Sequence, residues 1–162
     1  ITRFLSGFYS RKRKGRPRTF RDWRPEEKRA FESFEHANDL AENLFQPGTA
    51  GTCAFAAMQS ISHLKRFQYD SFEDISLLFD QRQPVHILRH EKLQTDMEHL
   101  FRILNIQHEV KLTNDPVRAH KNDYSNTPQL SQVAIDNLRQ WYRADIDFVE
   151  RANQWAEANL QQ

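Results

Sequence analysis

The stretch Pro84-Val85-His86-Ile87-Leu88-Arg89-His90-Glu91-Lys92-Leu93 decides how the chain is read. Before Pro84 the apolar residues recur at helical spacing. Val85 to Leu88 instead form a short apolar run with β-branched members, bounded by proline on one side and charge on the other. Such a run predicts a strand buried in a parallel sheet. From Leu93 the helical period returns, and Leu93, Met97, Leu100, Phe101 and Leu104 mark one face of an amphipathic helix. A strand that leads straight into a helix predicts an α/β fold, helical for most of its length, with one or two short parallel strands. Val110-Lys111-Leu112 is the second candidate strand.

On the N-terminal side the pattern is helical throughout. Ile1, Phe4, Leu5 and Phe8 predict a first helix running toward Gly15 and Pro17. Pro25, Glu26 and Glu27 make a good first turn for a second, because proline has no amide to orphan and acids suit the positive end of the dipole. Ala30, Phe31 and Phe34 mark its buried face. A short helix is expected over Asp39–Phe45 with Asn38 as its cap, then another carrying Ala54, Phe55, Met58, Ile61 and Leu64. Ser71-Phe72-Glu73-Asp74 approximates a capping box ahead of Ile75, Leu78 and Phe79. On the C-terminal side, Thr113 to Gln129 reads as a long polar loop of the kind that is usually functional or disordered. Ser131 is the expected cap of a last helical stretch through Leu138, Trp141, Tyr142, Phe148, Val149, Ala152 and Trp155.

The 162 residues suit one domain, with 12 Phe, 3 Trp and 4 Tyr available for its core. A single cysteine, Cys53, excludes an internal disulfide and fits a reducing, cytoplasmic setting. No apolar run approaches the roughly 20 residues that cross a bilayer. The opening Ile1-Thr2-Arg3-Phe4 has no initiator Met and no signal pattern, so the chain is expected to begin inside a larger domain. The net charge of +1 conceals a basic run, Arg11, Lys12, Arg13, Lys14, Arg16, Arg18, Arg21 and Arg24, opposed there by Asp22 alone. That run fits an anionic partner: nucleic acid, a phosphorylated cofactor, or a sulfated or uronic-acid glycan. It fits a solvated helix end and loop as well.

Three segments, in order, resemble the family of carbohydrate-type, PAPS-dependent sulfotransferases. The first is Thr2-Arg3-Phe4-Leu5-Ser6-Gly7-Phe8-Tyr9-Ser10, similar to the family's Arg-Phe-x-Ser-x-Phe/Tyr helix. The second is Val85 to Leu93 with Asp96, similar to its Arg-x-Glu-x-Leu-x-x-Asp unit. The third runs from Asp115-Pro116-Val117-Arg118-Ala119-His120-Lys121 to Leu138-Arg139-Gln140-Trp141-Tyr142-Arg143-Ala144-Asp145, similar to its terminal loop and a Tyr-x-x-Asp helix. The resemblance covers most of the chain, weakly between Glu26 and Phe79. It implies the C-terminal portion of a P-loop-like domain spanning residues 1–162, whose donor-binding loop and first strands precede Ile1.

The resemblance further implies a transferase that moves a sulfuryl group from PAPS to a hydroxyl, on a carbohydrate and near the basic run. The portion in hand is expected to be inactive alone, and membrane association would come through the missing segments. Ser6 falls on the serine that grips the 3′-phosphate, and Arg118, His120 and Lys121 are the loop cations expected at the nucleotide. No residue is assigned as catalytic base. Arg3 is expected to be a structural ion-pair partner rather than a ligand.

Gln46-Pro47-Gly48-Thr49-Ala50-Gly51-Thr52 is similar to the family's phosphosulfate loop but has Gly48 in place of the lysine, lacks a preceding strand and comes too late in the chain. It reads as a turn that opens a helix. Asp145 sits on an apolar stripe and requires a buried partner, an arginine or a backbone amide. His86 and His90 have no third ligand in register, so no metal is expected. The alternative reading is a helical nucleic-acid module, with Tyr9, Phe20 and Trp23 interleaved among the cations. It is disfavoured by the acidic remainder and the lack of a known motif.

Overall fold

The structure, a computed structural model, describes residues 2–12, 23–71, 79, 86–112 and 123–159. Those residues form helices α1 (Thr2–Lys12), α2 (Pro25–Ser33), α3 (Ala37–Asn43), α4 (Thr49–Ser60), α5 (Ser62–Lys65), α6 (Leu93–Ile103), α7 (Gln132–Trp141) and α8 (Arg143–Asn159), with short 3₁₀ turns at Tyr69–Ser71 and His90–Lys92. They group into two compact units. One comprises residues 1–67 and 122–143, the other 68–121 and 144–162.

In the first unit the predicted periodicities become a helical core. Phe4 and Phe8 of α1 are buried and meet Phe31, Phe34, Leu40, Leu44, Met58, Ile61, Leu64 and Leu138. Each such side chain contributes roughly 1.5–3 kcal/mol on leaving water. The packing pairs α1 with α3 and α5, α2 with α4, and α3 with α4 and α7. Pro25 opens α2 as expected, and Glu27 turns back to accept from the Arg24 amide at 3.0 Å.

Three details of this unit depart from the sequence reading. His36, not Asn38, stands at the N-cap of α3, where its amide donates to Asp39 Oδ2 at 2.8 Å. Asn38 Oδ1 instead accepts from the Ser131 amide at 2.8 Å. The helix expected through Leu64 breaks at Ile61, whose ψ of 109° ends α4 before α5 begins. The last stretch likewise divides at Tyr142. Its start is as expected, because Ser131 accepts from the Ala134 amide and caps α7.

The second unit corrects the fold class. Among the described residues there is no strand and no sheet, so the α/β reading is replaced by an all-helical one. His86 to Arg89 take no regular secondary structure, Arg89 being extended at φ −89° and ψ 130°, and Leu88 is 44% exposed. The reason lies next door. The Arg89 amide donates to Asp96 Oδ2 at 2.8 Å, so it is unavailable to a ladder. Val110–Leu112 is also unpaired, and the Val110 carbonyl accepts from the Gln94 side chain. Helix α6 forms where its apolar stripe predicted, yet its one buried residue is Asp96, and Leu104 beyond its end is 55% exposed. Val85, and the capping-box residues Phe72, Glu73 and Asp74, lie outside the described residues.

Candidate functional site

Ser6 sits half-buried in the second turn of α1, and its surroundings follow from the packing of that helix. Tyr9, one turn further on, stacks on Tyr124 with centroids 5.8 Å apart and ring planes 29° from parallel. Its hydroxyl accepts from the Ala37 amide at 3.3 Å. Tyr124 is therefore brought against α1, although nothing in the sequence reading singled it out. Arg3 donates to the Arg66 carbonyl. Arg118, His120 and Lys121, the expected loop cations, lie outside the described residues.

The basic run is partly taken up by the fold. Arg11 makes a two-pronged ion pair with buried Glu27, Nε to Oε1 at 2.8 Å and Nη2 to Oε2 at 2.6 Å. Burial pushes the Glu27 carboxyl up, but the hydrogen bonds from Arg11 and the Arg24 amide overcome it and hold the group below its ordinary range. Lys12 Nζ donates to the carbonyls of Phe34 and Glu35 at 2.8 and 2.5 Å. Trp23 lies on Phe31 and donates from Nε1 to the Arg11 carbonyl at 3.1 Å. Both cations and both aromatics therefore hold helices together. Arg13 to Asp22 lie outside the described residues.

In the second unit, Arg89 and Asp96 of the Arg-x-Glu-x-Leu-x-x-Asp pattern meet in a buried pair. Nε reaches Oδ2 at 2.9 Å and Nη2 reaches Oδ1 at 2.7 Å, with side chains 7% and 0% exposed. The bond from Arg89 outweighs burial and keeps the Asp96 carboxyl below its ordinary range. Glu91 of the same pattern is exposed. Asp145, the acid of Tyr-x-x-Asp, accepts from the amides of Gln68 and Tyr69 at 2.6 and 3.2 Å, one of the two partners its sequence position required. In the first unit the tyrosine of that pattern, Tyr142, donates to the Leu64 carbonyl at 2.9 Å. A cavity of about 570 Å³ in the second unit is lined, among the described residues, mainly by Phe79, Ile87, Leu88, Phe148 and Val149, with Arg89 and Glu91 at its polar side.

The stretch from Gln46 to Thr52 is, as read from the sequence, a turn that opens α4. Gly48 stands at its N-cap with φ of 84°, a left-handed value that favours glycine. Gly51 passes so close to the chain that a Cβ there would sit 1.7 Å from the Gln46 carbonyl oxygen. Among the described residues no cluster of three or more His, Cys, Asp or Glu could hold a metal ion, and no helix is long and apolar enough to cross a membrane. No protein-family model, curated protein or solved structure matches the chain.

Proposed function

We propose that this chain is part of a PAPS-dependent sulfotransferase that acts on a hydroxyl, on a carbohydrate, and holds its nucleotide against α1 at Ser6. The reading is supported most by the buried Arg89–Asp96 pair. Those two positions, seven residues apart, belong to the segment that resembles the family's pattern, and they meet in the fold with both prongs satisfied. Tyr142 and Asp145 of the third segment are likewise anchors to backbone.

In the reaction, the bond from sulfur to the 5′-phosphate oxygen of PAPS breaks as a new bond forms to the acceptor oxygen. The acceptor's proton leaves to a base that is not assigned among the described residues. Ser6 contributes a hydroxyl donor to the 3′-phosphate, and binding there positions the donor for transfer. The nucleic-acid reading loses ground, because Tyr9, Trp23, Arg11 and Lys12 are committed within the first unit.

The test is transfer of radiolabelled sulfuryl from PAPS to a panel of hydroxylated glycans by the intact protein. The proposal expects labelled product with at least one acceptor, and less of it when Ser6 is replaced by alanine. Absence of label on every acceptor, together with salt-sensitive binding to single-stranded oligonucleotides, would replace it with the nucleic-acid reading.

A further inference from the structure

The cavity of the second unit has a donor in its wall that the fold leaves over. Arg89 lines that cavity, and its guanidinium faces Asp96 with one edge, Nε at 2.9 Å and Nη2 at 2.7 Å. Nη1 lies on the other edge of the same plane. It is buried and has no hydrogen-bond partner among the described residues. Glu157 Oε1 approaches it at 3.5 Å from a side chain 61% exposed, too far for a well-formed hydrogen bond. Buried donors without acceptors are costly and uncommon, and this one calls for an explanation.

Glu157 also gives Nη1 a location. Val149, Asn153 and Glu157 follow one another at four-residue steps along α8 and so share one face. Val149 and Asn153 line the cavity, and Glu157, one turn further on, reaches Nη1. Nη1 therefore stands at the α8 wall, toward the end marked by Glu157. Elsewhere the described lining is largely apolar, with Phe79 and Phe148 at 6.2 Å between ring centroids and Arg151 over Phe79 at 5.3 Å. A volume of about 570 Å³ with apolar walls and a few polar groups is that of a small-molecule site.

Charge selects the ligand's polar end. Lys92 Nζ shares Glu157 Oε1 with Arg89, at 3.2 Å, so the two cations are balanced by Asp96 and Glu157. An exposed carboxylate is held weakly. With Glu157 swung into water, Arg89, Lys92 and Asp96 carry one net positive charge. Glu91, also in the lining, is exposed, and water screens it. We propose that this cavity binds a small monocarboxylate with an apolar body. The body lies among Phe79, Phe148 and Val149, and the carboxylate takes the place of Glu157 on Arg89 Nη1, where a charged acceptor makes the stronger bond. The inference goes beyond the sulfotransferase reading and does not depend on it.

The intact protein is titrated by calorimetry with octanoate, with octan-1-ol, which keeps the chain and loses the charge, and with acetate, which keeps the charge and loses the chain. Octanoate is expected to bind at one saturable site, on the order of tenfold or more tighter than octan-1-ol, with no measurable binding of acetate. Two variants on the exposed side of α8 locate the site without touching the Arg89–Asp96 pair. Val149→Asp sets a like charge in the wall and is expected to weaken octanoate on the order of tenfold or more, with the thermal midpoint unchanged. Glu157→Gln removes the competing carboxylate and is expected to tighten octanoate several-fold and leave octan-1-ol as it was. No saturable octanoate binding, or equal affinity for octanoate and octan-1-ol, overturns the proposal. So does octanoate affinity unchanged by Val149→Asp, which puts the ligand elsewhere, or unchanged or weakened by Glu157→Gln, which takes the carboxylate away from Arg89.

Discussion

Asp96 shows how much one side chain carries. It accepts from the amide and both prongs of Arg89 while fully buried. Removing one partner of such a pair leaves an uncompensated charge, so Asp96→Asn is expected to cost about 3–5 kcal/mol in urea unfolding. The same geometry sets a pH dependence. The folded-state pKa of Asp96 is depressed, as is that of Glu27 beside Arg11. Their stabilisation is therefore complete above the unfolded carboxylate range, about pH 4, and is lost as pH falls through their lower folded values. Thermal midpoints measured from pH 6 downward are expected to drop below about pH 4, and less steeply in Glu27→Gln. An unchanged slope in that variant would remove Glu27 from the account.

Among the elements, helices were legible and their neighbours were not. The spacing of Phe4 and Phe8, the opening Pro25-Glu26-Glu27 and the cap at Ser131 each carry a local physical signal, and each produced its helix. The run Val85–Leu88 misled because a short apolar stretch has no periodicity to separate a strand from an irregular segment. What settles its described part, a side chain seven residues on taking the Arg89 amide, leaves no trace in the run itself. Nor does amphipathicity say how deeply a face is covered.

The contrast can be measured. Phe8→Ala, in the core of the first unit, is expected to cost about 3–5 kcal/mol, and Leu104→Ala, beyond the end of α6, within about 0.5 kcal/mol. A large loss at Leu104 would restore the buried stripe read from sequence. Between α3 and α4, Gly48→Ala is expected to cost about 1 kcal/mol through its left-handed φ. Gly51→Ala is expected to cost considerably more, since the Gln46 backbone must move aside. Urea midpoints of the two variants give that order, and a reversal would mean the turn is held differently.

At the scale of the whole molecule, the candidate site was legible only in part. Ser6 was singled out only through likeness to a family pattern, since a serine near a helix start has an ordinary structural reading of its own. Tyr124 was not singled out, because a lone tyrosine in a polar loop repeats no pattern, and its contact with α1 comes from stacking on a helix more than a hundred positions earlier. Nor does the sequence reveal that Arg11, the first cation of the basic run, faces a buried glutamate.

The central claim is that α1 belongs to a site for a nucleotide bearing a 3′-phosphate. The thermal midpoint of the intact protein with PAP, with 5′-AMP and with neither tests it most directly. Ligand at a hundredfold its dissociation constant contributes about 2.7 kcal/mol to the folded state, a shift of about 5–10 °C for a domain of this size. The account predicts that shift with PAP, little with AMP, and a clearly smaller PAP shift in Ser6→Ala. Equal midpoints with PAP and AMP, or a PAP shift unchanged by the loss of Ser6, would contradict it.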